Sequence, residues 1–198
     1  LDDKEFYEAL QSINRTSQHL SNTIDDFRNF FSPNKEMNKF YLSQLIKKSK
    51  DLIKSRFDKF NIKVIENIDD IEILSYQNEL FQVILNLFSN SIDVLSSSQI
   101  ENKIIYIKIY HDENNLYIEF LDNGGGIKDE FINRVFEPYF TTKHKSQGTG
   151  IGLYMSLQIV TKHLNGEISV KNDTFIENNT AYFGAKFTIL LPIHLQKN

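Results

Sequence analysis

Apolar positions recur along this chain with two different periods, and the changes of period divide it into elements. Phe6, Leu10, Ile13, Leu20, Ile24, Phe27 and Phe31 fall at alternating spacings of three and four, with Ser17 filling the one gap. A seam of roughly three heptads predicts a long N-terminal helix that packs against another helix, in a hairpin or a dimer. Asp2 followed by Glu5 reads as an N-cap with its reciprocal partner. Ser32-Pro33-Asn34 stops the helix, because proline disfavours helical geometry in the residue before it. Residues 1–33 are thus expected to form one unit, and residues 34–198 another.

From about residue 40 the periods alternate. Residues 40–43 read as extended, leading into a helix over about 44–58 with Leu45, Leu52 and Phe57 on one face. Asn61–Ile65 and Ile71–Leu74 read as short strands. Asn78–Leu95 is an amphipathic helix, apolar at Leu80, Val83, Ile84, Leu87, Phe88 and Val94. Lys103–Tyr110 sets Ile105, Ile107 and Ile109 against Tyr106, Lys108 and Tyr110, and Asn114-Asn115 turns it into a partner strand, Leu116–Leu121. Residues 127–147 are rich in turn formers, and Gly150–His163 reads as a helix. Glu167–Val170 and Ala185–Leu191 close as a last hairpin, with Pro192 ending the strand. The pattern predicts an α/β fold: a two-layer sandwich of a mixed sheet with helices on one face. No internal repeat is present.

Composition narrows the function classes. The chain has 198 residues, 40% of them hydrophobic, which suffices for one ordinary domain and an appendage. No stretch reaches the ~18 consecutive apolar residues of a membrane span, and no apolar leader is visible at the N-terminus. The absence of cysteine excludes disulfides, thiolate metal sites and cysteine nucleophiles, and fits a reducing compartment. A net charge of −4 with no dense basic tract argues against nucleic acid as a partner. Lys47, Lys48, Lys50 and Lys54 read as the wet face of a helix. Asn-Xaa-Ser/Thr triplets at Asn14, Asn172 and Asn178 read as chance matches.

Four short blocks carry the candidate chemistry. In Asn86-Leu87-Phe88-Ser89-Asn90 two amides stand four residues apart, on one helical face. An amide oxygen is a neutral, hard ligand suited to Mg²⁺; the alternative is a plain polar face. In Asp122-Asn123-Gly124-Gly125-Gly126 a carboxylate ends an apolar strand, where it can accept a hydrogen bond from an exocyclic amine such as that of adenine. The glycines let backbone approach a ligand closely; the alternative is an ordinary Asp-Asn-Gly turn. The third block is Phe136-Glu137-Pro138-Tyr139-Phe140-Thr141-Thr142-Lys143. With His144, Lys145 and Ser146 it reads as a mobile lid, whose Lys143 either reaches a terminal phosphate or is simply solvated. Gly148-Thr149-Gly150-Ile151-Gly152-Leu153 enters a helix, where free N–H groups and the positive dipole end suit phosphates.

In this order the blocks resemble the N, G1, F and G2 boxes of the GHKL, or Bergerat-fold, ATP-binding superfamily, most closely those of bacterial sensor histidine kinases. The resemblance spans roughly residues 40–195. It implies that Asn90 and Asn86 hold Mg²⁺ and the phosphates of ATP, that Asp122 binds the adenine amine, and that Gly124 and Gly126 shape that pocket. It places Phe136–Lys143 in an ATP lid and Gly148, Gly150 and Gly152 along the phosphates. The same boxes bring in Asp93, Ile127, Tyr139, Thr141, Thr142, Thr149, Ile151 and Leu153 as nucleotide-binding residues, and imply catalytic roles for Asn86 and Lys143.

The gyrase and HSP90 branches resemble this pattern but carry glutamate, a water-activating base, where Asn86 stands. An amide cannot act as a general base, so the resemblance implies phosphoryl transfer rather than hydrolysis. His19-Leu20-Ser21 and Ile24–Phe31 are similar to the second helix of the dimerisation and phosphotransfer hairpin of such kinases. None of His19, His111, His144, His163 or His194 has the acceptor context of the first helix, so the chain is expected to be truncated and to bind ATP without phosphorylating itself. The implied partners are a response regulator receiver domain and, in the intact protein, a second copy. The implied location is cytoplasmic, with a parent that can be membrane-anchored. The rivals are a GHKL ATPase, an anti-sigma-type serine kinase and a non-catalytic nucleotide-sensing module.

Overall fold

The computed structural model describes Phe6 and residues 36–143 and 148–193. The heptad seam beyond Phe6, the expected boundary at residue 33 and the lid residues His144, Lys145 and Ser146 lie outside the described residues.

The first described strand, β1 (Asn38–Tyr41), runs directly into α1 (Leu42–Phe60). Leu42, Leu45, Ile46, Ser49 and Phe57 are buried along one side of that helix. Leu52, expected on the same face, is 64% exposed. At about 100° per residue Leu45 sits at the edge of the buried stripe, and Leu52 lies about 20° farther round, beyond it. Asn61 ends the helix in the left-handed region (φ 57), a conformation asparagine tolerates better than most residues. Then come β2 (Ile62–Ile68) and β3 (Glu72–Ser75), the latter pairing antiparallel with β1 in a small sheet of its own.

Helix α2 (Gln77–Ser97) buries Leu80, Val83, Ile84, Leu87, Phe88, Ile92 and Leu95. Val94 is 38% exposed, because it stands on the flank that looks into a cavity rather than into the core. The remaining elements are β4 (Lys103–His111), β5 (Asn115–Asp122), the short α3 (Asp129–Ile132), α4 (Gly152–Gln158) with a π-helical turn (Ile159–His163), β6 (Glu167–Glu177) and β7 (Thr180–Pro192). Five strands form one sheet in the order β2-β4-β5-β7-β6; β2 and β4 are parallel and the other pairs antiparallel.

The expected two-layer arrangement holds among the described residues. Ile105, Ile107 and Ile109 of β4, Leu116, Ile118 and Phe120 of β5 and Phe187, Ile189 and Leu191 of β7 join α1, α2 and the π-turn in one core. Phe88 meets Phe57 at 5.4 Å and Phe120 at 5.0 Å, both edge-on, so one ring ties α1, α2 and the sheet together. The opposite sheet face carries a smaller cluster of Ile104, Leu121 and Phe175, with Tyr106 and Tyr182 stacked on Phe175 at 5.5 and 5.4 Å.

The last hairpin and the helix after the glycine block differ in length from expectation. The last hairpin is much longer than Glu167–Val170 and Ala185–Leu191, with Asn178 (φ 48) and Asn179 (φ 61) as its two-residue turn. Asn172, Asp173 and Gly184 are weak strand formers, which hid the extension, although paired positive φ values are what a tight hairpin asks of asparagine. The helix expected from Gly150 begins at Gly152. Gly150 has φ 67 and cannot lie in a right-handed helix.

Candidate functional site

A cavity of about 760 Å³ opens between α2, the loop after β5, α3 and the segments flanking residues 144–147. Ala185 and Phe187 of β7 form part of its lining. Asp122, the last residue of β5, projects into it from the helix-covered side of the sheet and is 4% exposed. Its Oδ1 accepts from the Gly124 N–H at 2.9 Å, and its Oδ2 from Ser91 Oγ at 3.3 Å. Burial pushes this carboxyl above its ordinary range, while the Gly124, Ser91 and Ala185 hydrogen bonds pull the other way. A buried carboxylate at the cavity wall suits an incoming N–H donor.

The loop after Asp122 is built by close packing. A Cβ on Gly124 would stand 2.3 Å from Val94 Cγ1, so only glycine lets the loop lie on α2. Gly126 has φ 81, and a Cβ there would meet Asn172 Oδ1 at 2.6 Å. Asn172 donates from Nδ2 to the Ile127 carbonyl and accepts at Oδ1 from the Ile127 N–H, both at 2.7 Å. Its amide thus behaves as an extra strand residue fastening the loop to β6. Asn172→Ala leaves both Ile127 groups without their partner. It is expected to cost about 1–2 kcal/mol, read by thermal unfolding, and to weaken ligand binding in the cavity. Binding that stays unchanged would show that the loop holds its shape without this tie.

At the other end of the cavity, Asn86 Nδ2 donates to the Gly152 carbonyl at 3.2 Å and to Ser156 Oγ at 3.3 Å, joining α2 to the start of α4. Asn90 Oδ1 faces Lys143 Nζ at 3.4 Å, and Asn90 Nδ2 is buried with no hydrogen-bond partner among the described residues. That orphaned donor leaves part of the amide uncommitted to the protein. No group of three or more His, Cys, Asp or Glu residues could hold a metal ion among the described residues. A divalent cation here would therefore rest on one or two amide oxygens and on oxygens of its ligand, an arrangement that suits Mg²⁺. Lys143 also pairs with Asp93 at 2.7 Å. The Tyr139 N–H donates to the Gly150 carbonyl at 3.0 Å, which ties together the two segments flanking residues 144–147. Gly150 is required there, since a Cβ would stand 2.5 Å from the Tyr139 carbonyl carbon.

The structure brings most of the expected residues to one wall-lined space. Asn86, Asn90, Asp93, Asp122, Gly126, Ile127, Thr141, Thr142, Lys143, Gly148, Thr149, Gly150, Gly152 and Leu153 all line the cavity. Three expected residues do not. Gly124 supports Asp122 through its N–H, Tyr139 points outward at 73% exposure, and Ile151 donates its N–H to Thr149 Oγ1 at 3.3 Å. Sequence reasoning missed Ser89, Val94, Lys128, Phe131, Val135, Phe140, Ala185 and Phe187 as lining. Ser89 and Val94 were findable, as they flank Asn90 on the same helical face. Phe140 stands inside the Phe136–Lys143 block expected at the lid; the others are ordinary apolar or charged residues, and no local signal marks them.

Comparison with known proteins places this geometry. The family model described as histidine kinase-, DNA gyrase B-, and HSP90-like ATPase matches residues 75–195. Sporulation kinase E of Bacillus subtilis is 32% identical over 155 residues, covering 77% of this chain and 19% of that protein. The signal transduction histidine-protein kinase AtoS of Escherichia coli is 27% identical over 194 residues, covering 96% of this chain and 30% of that protein. The chain thus spans under a third of the length of these relatives. Among solved structures, the catalytic domain of the histidine kinase ThkA matches with a TM-score of 0.65 and 26% identity, over 80% of this chain and 96% of that one. The same kinase in complex with the response regulator protein TrrA matches with a TM-score of 0.71 and 23% identity, over 100% of this chain and 55% of that one.

Proposed function

Because the chain belongs to the family of histidine kinase-, DNA gyrase B-, and HSP90-like ATPases, we propose that it binds Mg·ATP in the cavity beside α2 and acts as the catalytic region of a two-component sensor histidine kinase. The observation that carries the reading is Asp122, a buried carboxylate at a strand end whose neighbours donate hydrogen bonds to it and leave it an acceptor. Adenine offers an amine to such a group. Guanine offers a carbonyl oxygen at the same place and is repelled, so the site selects ATP over GTP.

In this reading the base lies against Val94, Gly126 and Ile127. The phosphates extend toward Asn86, Asn90 and Lys143, with Thr141, Thr142, Gly148, Thr149, Gly150 and Gly152 around them. Asn90 and Asn86 would hold Mg²⁺ through their amide oxygens. When bound, that ion supplies charge neutralisation and orientation of the phosphates. Lys143 places a positive charge on the side of the cavity where negative charge gathers during phosphoryl transfer. Asn86 argues for the kinase branch: its amide nitrogen is committed to Gly152 and Ser156, and an amide cannot take a proton from water. ATP is thus spared hydrolysis until a better nucleophile arrives.

In this reading that nucleophile is a histidine on a helical hairpin, and the kinase works as a pair of copies. The phosphoryl group then passes to an aspartate of a receiver domain. The names of the kinase relatives and the ThkA complex support this sequence of partners.

The test supplies ATP labelled at the γ-phosphate, a histidine-bearing hairpin in trans and a receiver domain. Acid-labile, base-stable label on the hairpin, passing to the receiver, is the expected result, with free phosphate released slowly. Fast phosphate release and an unlabelled hairpin would replace the kinase by a hydrolase. Failure to bind ATP at all would leave a non-catalytic module.

A further inference from the structure

One carboxylate holds two cations beside the cavity. Asp93 Oδ1 accepts from Arg56 Nη2 at 2.7 Å, and Asp93 Oδ2 accepts from Lys143 Nζ at 2.7 Å. Arg56 comes from α1, and its Nη1 also donates to Ser89 Oγ at 2.9 Å. Ser89, Asn90, Asp93 and Lys143 line the cavity, and Arg56 stands behind them. The three charged side chains are 37%, 32% and 28% exposed, so as ion pairs they add little to stability. Their importance is the charge they set at the phosphate end.

A carboxylate in that wall is an obstacle to a polyphosphate. Paired with Lys143 alone it would form a neutral couple and consume the lysine charge that, among the described residues, faces the phosphate end. With Arg56 present, two positive charges share one negative charge, and the cluster keeps a net charge of +1. The double hold on Asp93 and Ser89 also fixes where Asp93 Oδ2 points, and therefore where Lys143 Nζ stands relative to Asn90. We propose that Arg56 is a positioning residue for the phosphates: it cancels Asp93 electrostatically from outside the cavity and keeps Lys143 over Asn90 with its charge uncompensated. The proposal rests on the reading of the cavity as an ATP site and deepens it.

The experiment compares Mg·ATP and adenosine binding by the wild type, Arg56→Met, Arg56→Lys and the double variant Arg56→Met/Asp93→Asn, using calorimetry for ATP and chemical-shift titration for adenosine. Arg56→Met should weaken ATP roughly five-fold, the scale of a partly exposed ion pair, and leave adenosine unchanged. Arg56→Lys should lose less. The double variant restores the net charge of +1 and should bind ATP more tightly than Arg56→Met does, a rescue that charge balance predicts and a packing defect does not. Equal losses for ATP and adenosine, or no rescue by Asp93→Asn, would overturn the proposal. A wild type that binds ATP with Arg56→Met unaffected would overturn it too, while the ATP reading stands. A wild type that binds neither nucleotide would fell the ATP reading first, and this one with it.

Discussion

Asp122→Asn is expected to weaken ATP binding roughly 10- to 100-fold, the loss of a hydrogen bond to a charged group in a dry site, while making the free protein more stable at neutral pH. Both effects have one cause. Burial raises the Asp122 carboxyl above the ordinary value, so the folded protein holds this proton more tightly than the unfolded chain does. The stability tied to that proton is fully present below the unfolded value and is lost as pH rises through the raised folded value. Above that raised value the wild type carries a buried charge, and its burial costs the free protein stability. An asparagine can keep the Gly124 and Ser91 contacts, its oxygen accepting from the Gly124 N–H and its amide donating to Ser91 Oγ. Removing the charge should stabilise the free protein by on the order of 1 kcal/mol, a few degrees for a chain of this size. The gain should shrink on acidification, because the wild type then protonates itself. Thermal scans across pH with and without Mg·ATP read both halves. A variant that loses stability at neutral pH, or keeps full ATP affinity, contradicts the account. Wild-type ATP affinity should fall as pH drops through the raised value, since a protonated carboxyl is a poorer acceptor for the adenine amine.

Gly184→Ala is the second large expected effect. Gly184 sits in β7 opposite Asp173, where the chain leaving β5 crosses it. A Cβ there would stand 1.8 Å from the Asp122 carbonyl oxygen and 2.7 Å from its carbonyl carbon. These are backbone atoms in a paired strand, so no side chain can rotate away; the end of β5 must move off β7. We expect a loss of about 2–3 kcal/mol from this overpacking, or a fall of about 5–10 °C in Tm. ATP affinity should fall as well, because the residue displaced is Asp122 itself. A Tm within a degree of wild type would mean that the two strands separate there without cost.

The two variants show how differently the site's parts were written in the sequence. Asp122 announces itself: a carboxylate after an apolar strand and before three glycines is a local pattern. Gly184 does not. It lies in a stretch whose asparagines and aspartate concealed a long hairpin, and its necessity arises from a strand that passes it only after folding. Asn172 is a similar case. As sequence it is part of an Asn-Xaa-Thr triplet; in the fold its amide is the tie that holds Ile127.

The sequence by itself determined the α/β class, the amphipathic helices, the alternating strands and the four blocks that meet at the cavity. These are short-range features, fixed by periods of two and 3.6 residues and by the few residue types that tolerate turns or offer ligand atoms. Only the tertiary structure decided what surrounds them. It put Leu52 outside the core, tied Tyr139 to Gly150, and set Phe187 in the cavity lining. It also brought Arg56, on a helix with no motif, to the far side of Asp93. Such placements depend on which elements pack together and on the charges and volumes that meet there, and the partners that Arg56, Lys143 and Asn172 find stand 33 to 50 residues away along the chain.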